Sequence, residues 1–274
     1  MERTIACLDL EKTAESGQCF RWTRERETWR IPHAGFCLYI RPAGEERFFL
    51  DCPEEEFETV WRPYFDLDTD YSMINGRIDP EADPFLHSAM KDQYGVRILR
   101  QDAWEMTVTS IITQNRNIPA IRRSVELLSR YGGTRKTDRK GREYRVFPTP
   151  EQILGISAEN LSRCRLGYRE RYVRKAAEAV LSGETDPELL KTLPDPECRE
   201  ALLRMCGVGE KVAACIMLFG LHRLNAFPRD VWINRALSEG YPEGFPFERY
   251  APYNGVYQQY LFAGYRKLKT KREP

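Results

Sequence analysis

The chain has 274 residues, 42 % of them hydrophobic and 30 % charged, and its 42 Lys and Arg against 41 Asp and Glu leave a formal net charge of +1. That length and balance exclude a disordered polypeptide and fit one large domain or two ordinary ones. No stretch of about 18 uncharged apolar residues occurs, so no membrane-spanning helix is expected, and overall neutrality by itself points to no polyanionic partner.

In chain order, short aromatic or β-branched runs at 4–10, 19–22, 28–31, 36–41 and 47–51 predict a meander of antiparallel strands. A helix is expected over 53–64, where Glu54, Glu55 and Glu56 suit the first turn and Phe57, Val60, Trp61 and Tyr64 recur at helical spacing. Beyond residue 80 the pattern is almost wholly helical. Helices are expected at 84–93, from a cap at Asp102 to about residue 112, and at 118–131. Between the last two, Gln114-Asn115-Arg116-Asn117 breaks the pattern. The basic insert 132–147 reads as an exposed loop or hairpin. Further helices are expected at 149–154, 158–164, 168–181, 187–193, 196–205, 211–221, 231–239 and 255–267. The fold class is therefore α+β: an antiparallel sheet domain with flanking helices at 1–95, packed on a larger helical domain at 96–274.

The neutral total hides a split. Residues 1–95 carry 11 basic and 20 acidic side chains, a net −9, whereas 96–274 carry 31 and 21, a net +10. Such asymmetry suggests that one part meets a polyanion. The eight cysteines (Cys7, Cys19, Cys37, Cys52, Cys164, Cys198, Cys206 and Cys215) have no CxxC spacing and are joined by only three histidines. Neither a zinc site nor an iron–sulfur cluster is expected. The N-terminus MERTIACLDLEK has no basic-then-apolar leader pattern, so reduced thiols and a cytoplasmic location are expected.

Residues 196–235 carry the chemistry: helix, Gly207-Val208-Gly209 turn, second helix, then an extended stretch ending at Asp230. The glycines permit a sharp turn, and the second helix's free N–H groups can meet a phosphate, as in a helix-hairpin-helix. An ordinary αα-hairpin explains the turn equally well. Lys211 lies in the first turn of the second helix, where the dipole disfavours a cation and burial lowers an amine pKa; this suits a nucleophile. A surface lysine touching phosphate is the plainer alternative. Asp230 precedes another helix, which it can cap, and it can also set a carboxylate near a developing cationic sugar.

At this point the sequence resembles the helix-hairpin-helix DNA glycosylases with a Gly/Pro-rich loop and aspartate, and among them the 8-oxoguanine DNA glycosylase branch. The likeness runs from SGQCFRW at 16–22 through LRQDAWEMTVTSIITQNRNI at 99–118, LGYRERYV at 166–173 and the GVGEK turn to YLFAGYR at 260–266. It implies a DNA glycosylase and AP lyase that flips an 8-oxoguanine nucleotide from double-stranded DNA. Lys211 matches the family lysine that attacks C1′, and Asp230 the aspartate that stabilises the oxocarbenium-like transition state. Gly17 matches the glycine whose carbonyl reads N7–H, Cys215 and Phe262 the residues on the two faces of the base, and Gln258 the reader of its Watson–Crick edge. Taken alone, Gly17 is a turn residue and Cys215 and Phe262 are core.

Tyr168 matches the wedge that fills the vacated stack, while Arg169 and Asn115 match contacts to the estranged cytosine. Without the family, Asn115 is a helix-breaking cap, Tyr168-Arg169 an amphipathic helix start, and the basic cluster 163–175 a solvated face. Two positions depart from the pattern. Ala120 stands where eukaryotic members carry a second cytosine-reading arginine, which implies relaxed opposite-base specificity. Trp232 replaces a histidine that supports a phosphate contact. Both resemble bacterial members. The likeness implies no required cofactor or catalytic metal, although the hairpin carbonyls can hold a structural cation, and it implies a monomer. The alternatives are a glycosylase for another damaged base on this fold and a non-catalytic DNA-binding module.

Overall fold

The computed structural model describes residues 1–270. Five strands, β1 (Glu2–Thr4), β2 (Thr23–Glu25), β3 (Thr28–His33), β4 (Phe36–Gly44) and β5 (Arg47–Leu50), form an antiparallel sheet in the order β1-β5-β4-β3-β2. Trp29 pairs with Ile40, Ile31 with Leu38, and Ile40 with Leu50. These side chains bury one face against Phe57, Trp61, Tyr64 and Phe65. Phe57 to Tyr64 belong to the expected helix, which runs from Glu54 to Tyr64 with a π-helical turn at Phe57–Trp61.

Two expected strands are absent. Cys7 takes φ +52°, and Asp9 caps a helix at Leu10–Glu15 by accepting from Lys12 N at 2.9 Å, so extended chain ends at Thr4. Residues Gln18 to Trp22 are buried consecutively rather than alternately. Cys19 and Trp22 enter the sheet core while Phe20 enters the core of the helical body. The segment is a bolt between two cores.

The body contains two clusters. One gathers the helices Ala103–Ile112, Ile118–Gly132 and Arg169–Leu181 around the hairpin. In the other, helices Tyr71–Gly76 and Pro84–Asp92 pack on Asn254–Thr270. Tyr257 Oη donates to Ile74 O at 2.8 Å and Tyr260 Oη to Asn75 Oδ1 at 2.8 Å.

The basic insert is a two-stranded hairpin, Arg135–Thr137 with Glu143–Arg145, and it docks on the sheet. Asp138 accepts from Arg30 Nη2 at 3.0 Å and Tyr39 Oη at 2.7 Å. Arg139 pairs with Glu56, and Arg142 with Glu25 at 2.6 Å. Lys140 Nζ lies 3.8 Å from the Tyr39 ring centroid. This cover explains why Cys37–Ile40 are buried on both faces of β4. All eight cysteines are unpaired and all but Cys206 are buried. No helix among the described residues is long and apolar enough to cross a membrane.

Candidate active site

The hairpin consists of Asp195–Leu203, the glycine turn and Glu210–Cys215, which continues as a π-helical turn over Ile216–Gly220. Gly207 has φ +81°, and a Cβ there would lie 2.3 Å from Cγ of Tyr172. Both the turn and the packing therefore demand glycine. Gly209 is different: among the described residues no atom lies within 4 Å of its missing Cβ, and the residue is exposed. At the far end a Cβ on Gly220 would sit 3.1 Å from Cβ of Met106. This close approach brings the second hairpin helix against Ala103–Ile112.

That contact sets the amine of Lys211. Its Nζ donates to Thr113 Oγ1 at 2.8 Å. Thr113 donates its own hydroxyl proton to Ser110 O at 2.7 Å, so its oxygen meets the amine as an acceptor. Asp230 caps Val231–Gly240, accepting from Ile233 N at 2.8 Å. Lys211, Asp230, Gly17, Asn115, Trp232 and Phe262 line one cleft of about 950 Å³. Gly17 has φ +84°, and a Cβ added there would stand 3.1 Å from Cε1 of Phe262. The sheet domain thus meets the C-terminal helix at the cleft wall.

Cys215 lies one turn after Lys211 and is buried. Burial pushes its thiol above the ordinary range, and neighbouring Lys211 pulls the other way. It sits behind the cleft in the apolar cluster against which Phe262 packs. Gln258 is also buried; its Nε2 donates to Pro228 O at 2.9 Å while its Oε1 has no hydrogen-bond partner among the described residues.

At the mouth, Asn115 has φ +49° and its Nδ2 donates to Tyr168 Oη at 3.2 Å. The Tyr168 side chain is exposed and crosses Tyr172 edge-on at 5.8 Å. Arg169 departs from the expected base contact. It is 5 % exposed, donates to Gln114 O at 2.8 Å and Leu166 O at 3.2 Å, and stacks 4.3 Å from the Tyr168 ring. Its guanidinium is consumed in holding the turn that displays Asn115. Trp232 is half-buried with Arg235 5.4 Å from its ring.

Two residues at the site went unrecognised in the sequence. Thr113 anchors the lysine, and Gln114 bridges Ile111 O at 3.1 Å to Gly207 O at 3.0 Å. Both immediately precede Asn115, but only their partners 98 and 93 residues away reveal them. Among the described residues, no His, Cys, Asp and Glu side chains cluster for a metal. The hairpin offers backbone carbonyls, and that of Gly207 is already engaged by Gln114.

A sheet domain bolted to a helical body, with a hairpin-borne lysine and a capping aspartate on one cleft, defines a helix-hairpin-helix base-excision architecture. Residues 2–107 match the 8-oxoguanine DNA glycosylase, N-terminal domain family. The chain superposes on MBOgg1 in complex with a low-affinity DNA ligand with TM-score 0.91 and 35 % identity, covering 97 % of this chain and 95 % of that one. Against the Clostridium acetobutylicum 8-oxoguanine glycosylase/lyase, in complex with dsDNA containing cytosine opposite 8-oxoG, the TM-score is 0.90 at 32 % identity over 97 % and 94 % of the two chains. The N-glycosylase/DNA lyase of Saccharomyces cerevisiae is 29 % identical over 85 % of this chain and 68 % of its own length. The chain belongs to the 8-oxoguanine DNA glycosylase family.

Proposed function

We propose that the protein flips 8-oxoguanine out of duplex DNA and excises it as a bifunctional glycosylase and AP lyase. One observation carries the reading: the Lys211 amine is fixed by Thr113 in a cleft that also holds Asp230, Gly17 and Phe262. Lys211 attacks C1′, the N-glycosidic bond breaks, and the base leaves with a proton. Asp230 stabilises positive charge on the sugar during this step. Loss of the ring oxygen's bond to C1′ then yields a Schiff base, and β-elimination breaks the strand on its 3′ side.

Recognition is assigned to the residues that the family pattern singles out. The Gly17 carbonyl accepts the N7–H that distinguishes the lesion from guanine. In the family pattern Gln258 reads the Watson–Crick edge and Phe262 and Cys215 take the two faces of the base; here Phe262 lines the cleft while Gln258 and Cys215 are buried just behind it. Tyr168 enters the vacated stack, Asn115 holds the orphaned base, and Arg169 supports both from beneath. The turn amides near Gly207 and Gly209, with Trp232, meet the phosphates. Every step uses protein groups, and the hairpin carbonyls are the place where a structural cation would bind. Ala120 leaves the opposite base weakly specified. The enzyme acts as a monomer, since one chain carries every group named, on nucleoid DNA in a bacterial cytoplasm.

Borohydride trapping on duplexes carrying 8-oxoguanine opposite each of the four bases tests the reading. A covalent complex with wild type, lost in Lys211→Gln while DNA binding persists, is expected. Equal excision by both proteins overturns the nucleophile, and trapping on a different lesion alone favours another base specificity. A strict cytosine requirement overturns the role of Ala120.

A further inference from the structure

The helix Leu10–Glu15 ends two residues before Gly17, and a helix end leaves carbonyls without intrahelical partners. Here long side chains from distant segments take them one by one. Ala14 O accepts from Arg122 Nη2 at 2.8 Å and Glu15 O from Arg266 Nη2 at 2.6 Å. Ser16 O accepts from Gln259 Nε2, and Gln18 O from Gln101 Nε2 at 2.9 Å. The Gln18 side chain pins the loop further, donating to Arg97 O at 2.8 Å and accepting from Leu99 N at 2.9 Å. Of the five consecutive carbonyls from Ala14 to Gln18, that of Gly17 alone receives no hydrogen bond from the described residues. Gln259 is 2 % exposed and shares a helix with Gln258 and Phe262.

Resting on the reading above, we infer that Gln259 and Gln101 are positioning residues that withdraw the carbonyls on either side of Gly17, so that this segment presents a single backbone acceptor to the base pocket. Guanine and 8-oxoguanine share the N1–H and N2–H₂ donors and differ at N7, which accepts in the first and donates in the second. Stray carbonyls would reward the shared donors and bind both bases. A lone carbonyl of fixed direction rewards N7–H and repels the N7 lone pair of guanine. Selectivity is a difference of affinities, and removing acceptors open to both bases widens it. The Gln259 amide also anchors the Ser16–Gly17 peptide plane; without it the glycine hinge at Gly17 can turn the next plane, which carries the reading carbonyl.

The test uses the full-length protein with Gln259→Leu and Gln101→Leu. Three duplexes serve as probes: one with 8-oxoguanine, one with 8-bromoguanine, which has bulk at C8 but no N7–H, and one with an abasic site. Wild type is expected to prefer 8-oxoguanine over 8-bromoguanine. Each variant is expected to shrink that ratio about tenfold, the scale of one hydrogen bond, while lyase action on the abasic duplex falls less than twofold. An unchanged ratio, or equal losses on all three duplexes, overturns the inference. If Gln259→Leu does not fold, the ratio in Gln101→Leu decides; loss of fold in both assigns the amides to stability and also overturns it. A wild type that neither excises nor selects 8-oxoguanine refutes the functional reading itself. A selective wild type with equally selective variants refutes this inference alone.

Discussion

Thr113→Val tests the placement of the lysine without touching it. Valine keeps the shape of threonine but removes the oxygen that lies 2.8 Å from Lys211 Nζ. It also deletes the hydroxyl that donates to Ser110 O at 2.7 Å. A hydrogen bond between uncharged partners, the form in which the amine attacks, is worth about 0.5–1.5 kcal/mol net. If that energy holds the amine in its attacking position, its loss appears in the barrier, where each 1.4 kcal/mol or so is a factor of ten. Single-turnover excision of 8-oxoguanine should therefore fall roughly 2- to 12-fold. The rate of borohydride trapping on a preformed abasic site should fall by the same factor, because the same amine attacks. Affinity for the lesion duplex, measured by fluorescence anisotropy, should change less than about threefold, since a cleft-floor hydroxyl adds little to phosphate contacts. Thr113→Ser retains the oxygen and should recover most of the rate. Excision by Thr113→Val at the wild-type rate, or a loss that serine does not restore, would refute the reasoning.

Three further outcomes follow from the same geometry. Gly207→Ala must place a methyl inside the Tyr172 ring at φ +81° and should cost more than about 2 kcal/mol in urea unfolding; Gly209→Ala meets no protein atom and should leave stability within about 0.5 kcal/mol while weakening DNA binding. Ala120→Arg adds a guanidinium between the cleft-lining Pro119 and Ile121 and should raise the preference for cytosine opposite the lesion by about 1–3 kcal/mol, read as excision rates across the four opposite bases. For Asp138, burial raises the carboxyl, but hydrogen bonds from Tyr39, the Arg142 backbone, Arg30 and the Lys140 backbone outweigh it and hold the group below its ordinary 3.8. A carboxyl depressed on folding stabilises the protein above that value, and the contribution is lost as pH falls through the folded pKa. Asp138→Asn should therefore be less stable than wild type by about 2 kcal/mol at pH 7, with the gap closing below about pH 4; a gap constant from pH 7 to pH 3 would show that the carboxylate charge does not hold the insert.

Locally encoded features were legible from residues alone. Asp102 accepts from Glu105 N at 2.7 Å and caps its helix; Asp230 caps Val231–Gly240, and the Gly207 turn opens the hairpin helix on which Lys211 sits. Caps, glycine turns and apolar periodicity act over three or four residues, so their signal survives in a single sequence. The α+β class followed from them. What failed was information about distant partners. Extended chain was expected at 19–22 because aromatic residues favour strands, but burial on every side in two cores overrode that preference.

The charge split met the same limit. Composition established that residues 96–274 carry a net +10, and the resemblance attached that charge to DNA. Only the tertiary structure decides which cations remain for a phosphate. Arg139 and Arg142 answer carboxylates of the sheet domain. Arg122 and Arg169 spend hydrogen bonds on backbone carbonyls. A charge can be counted in a sequence, but its partner is set by which segments packing brings within 3 Å or so. The same holds at Gly17: one glycine announces a turn, while four side chains from three other parts of the chain decide which carbonyl that turn exposes.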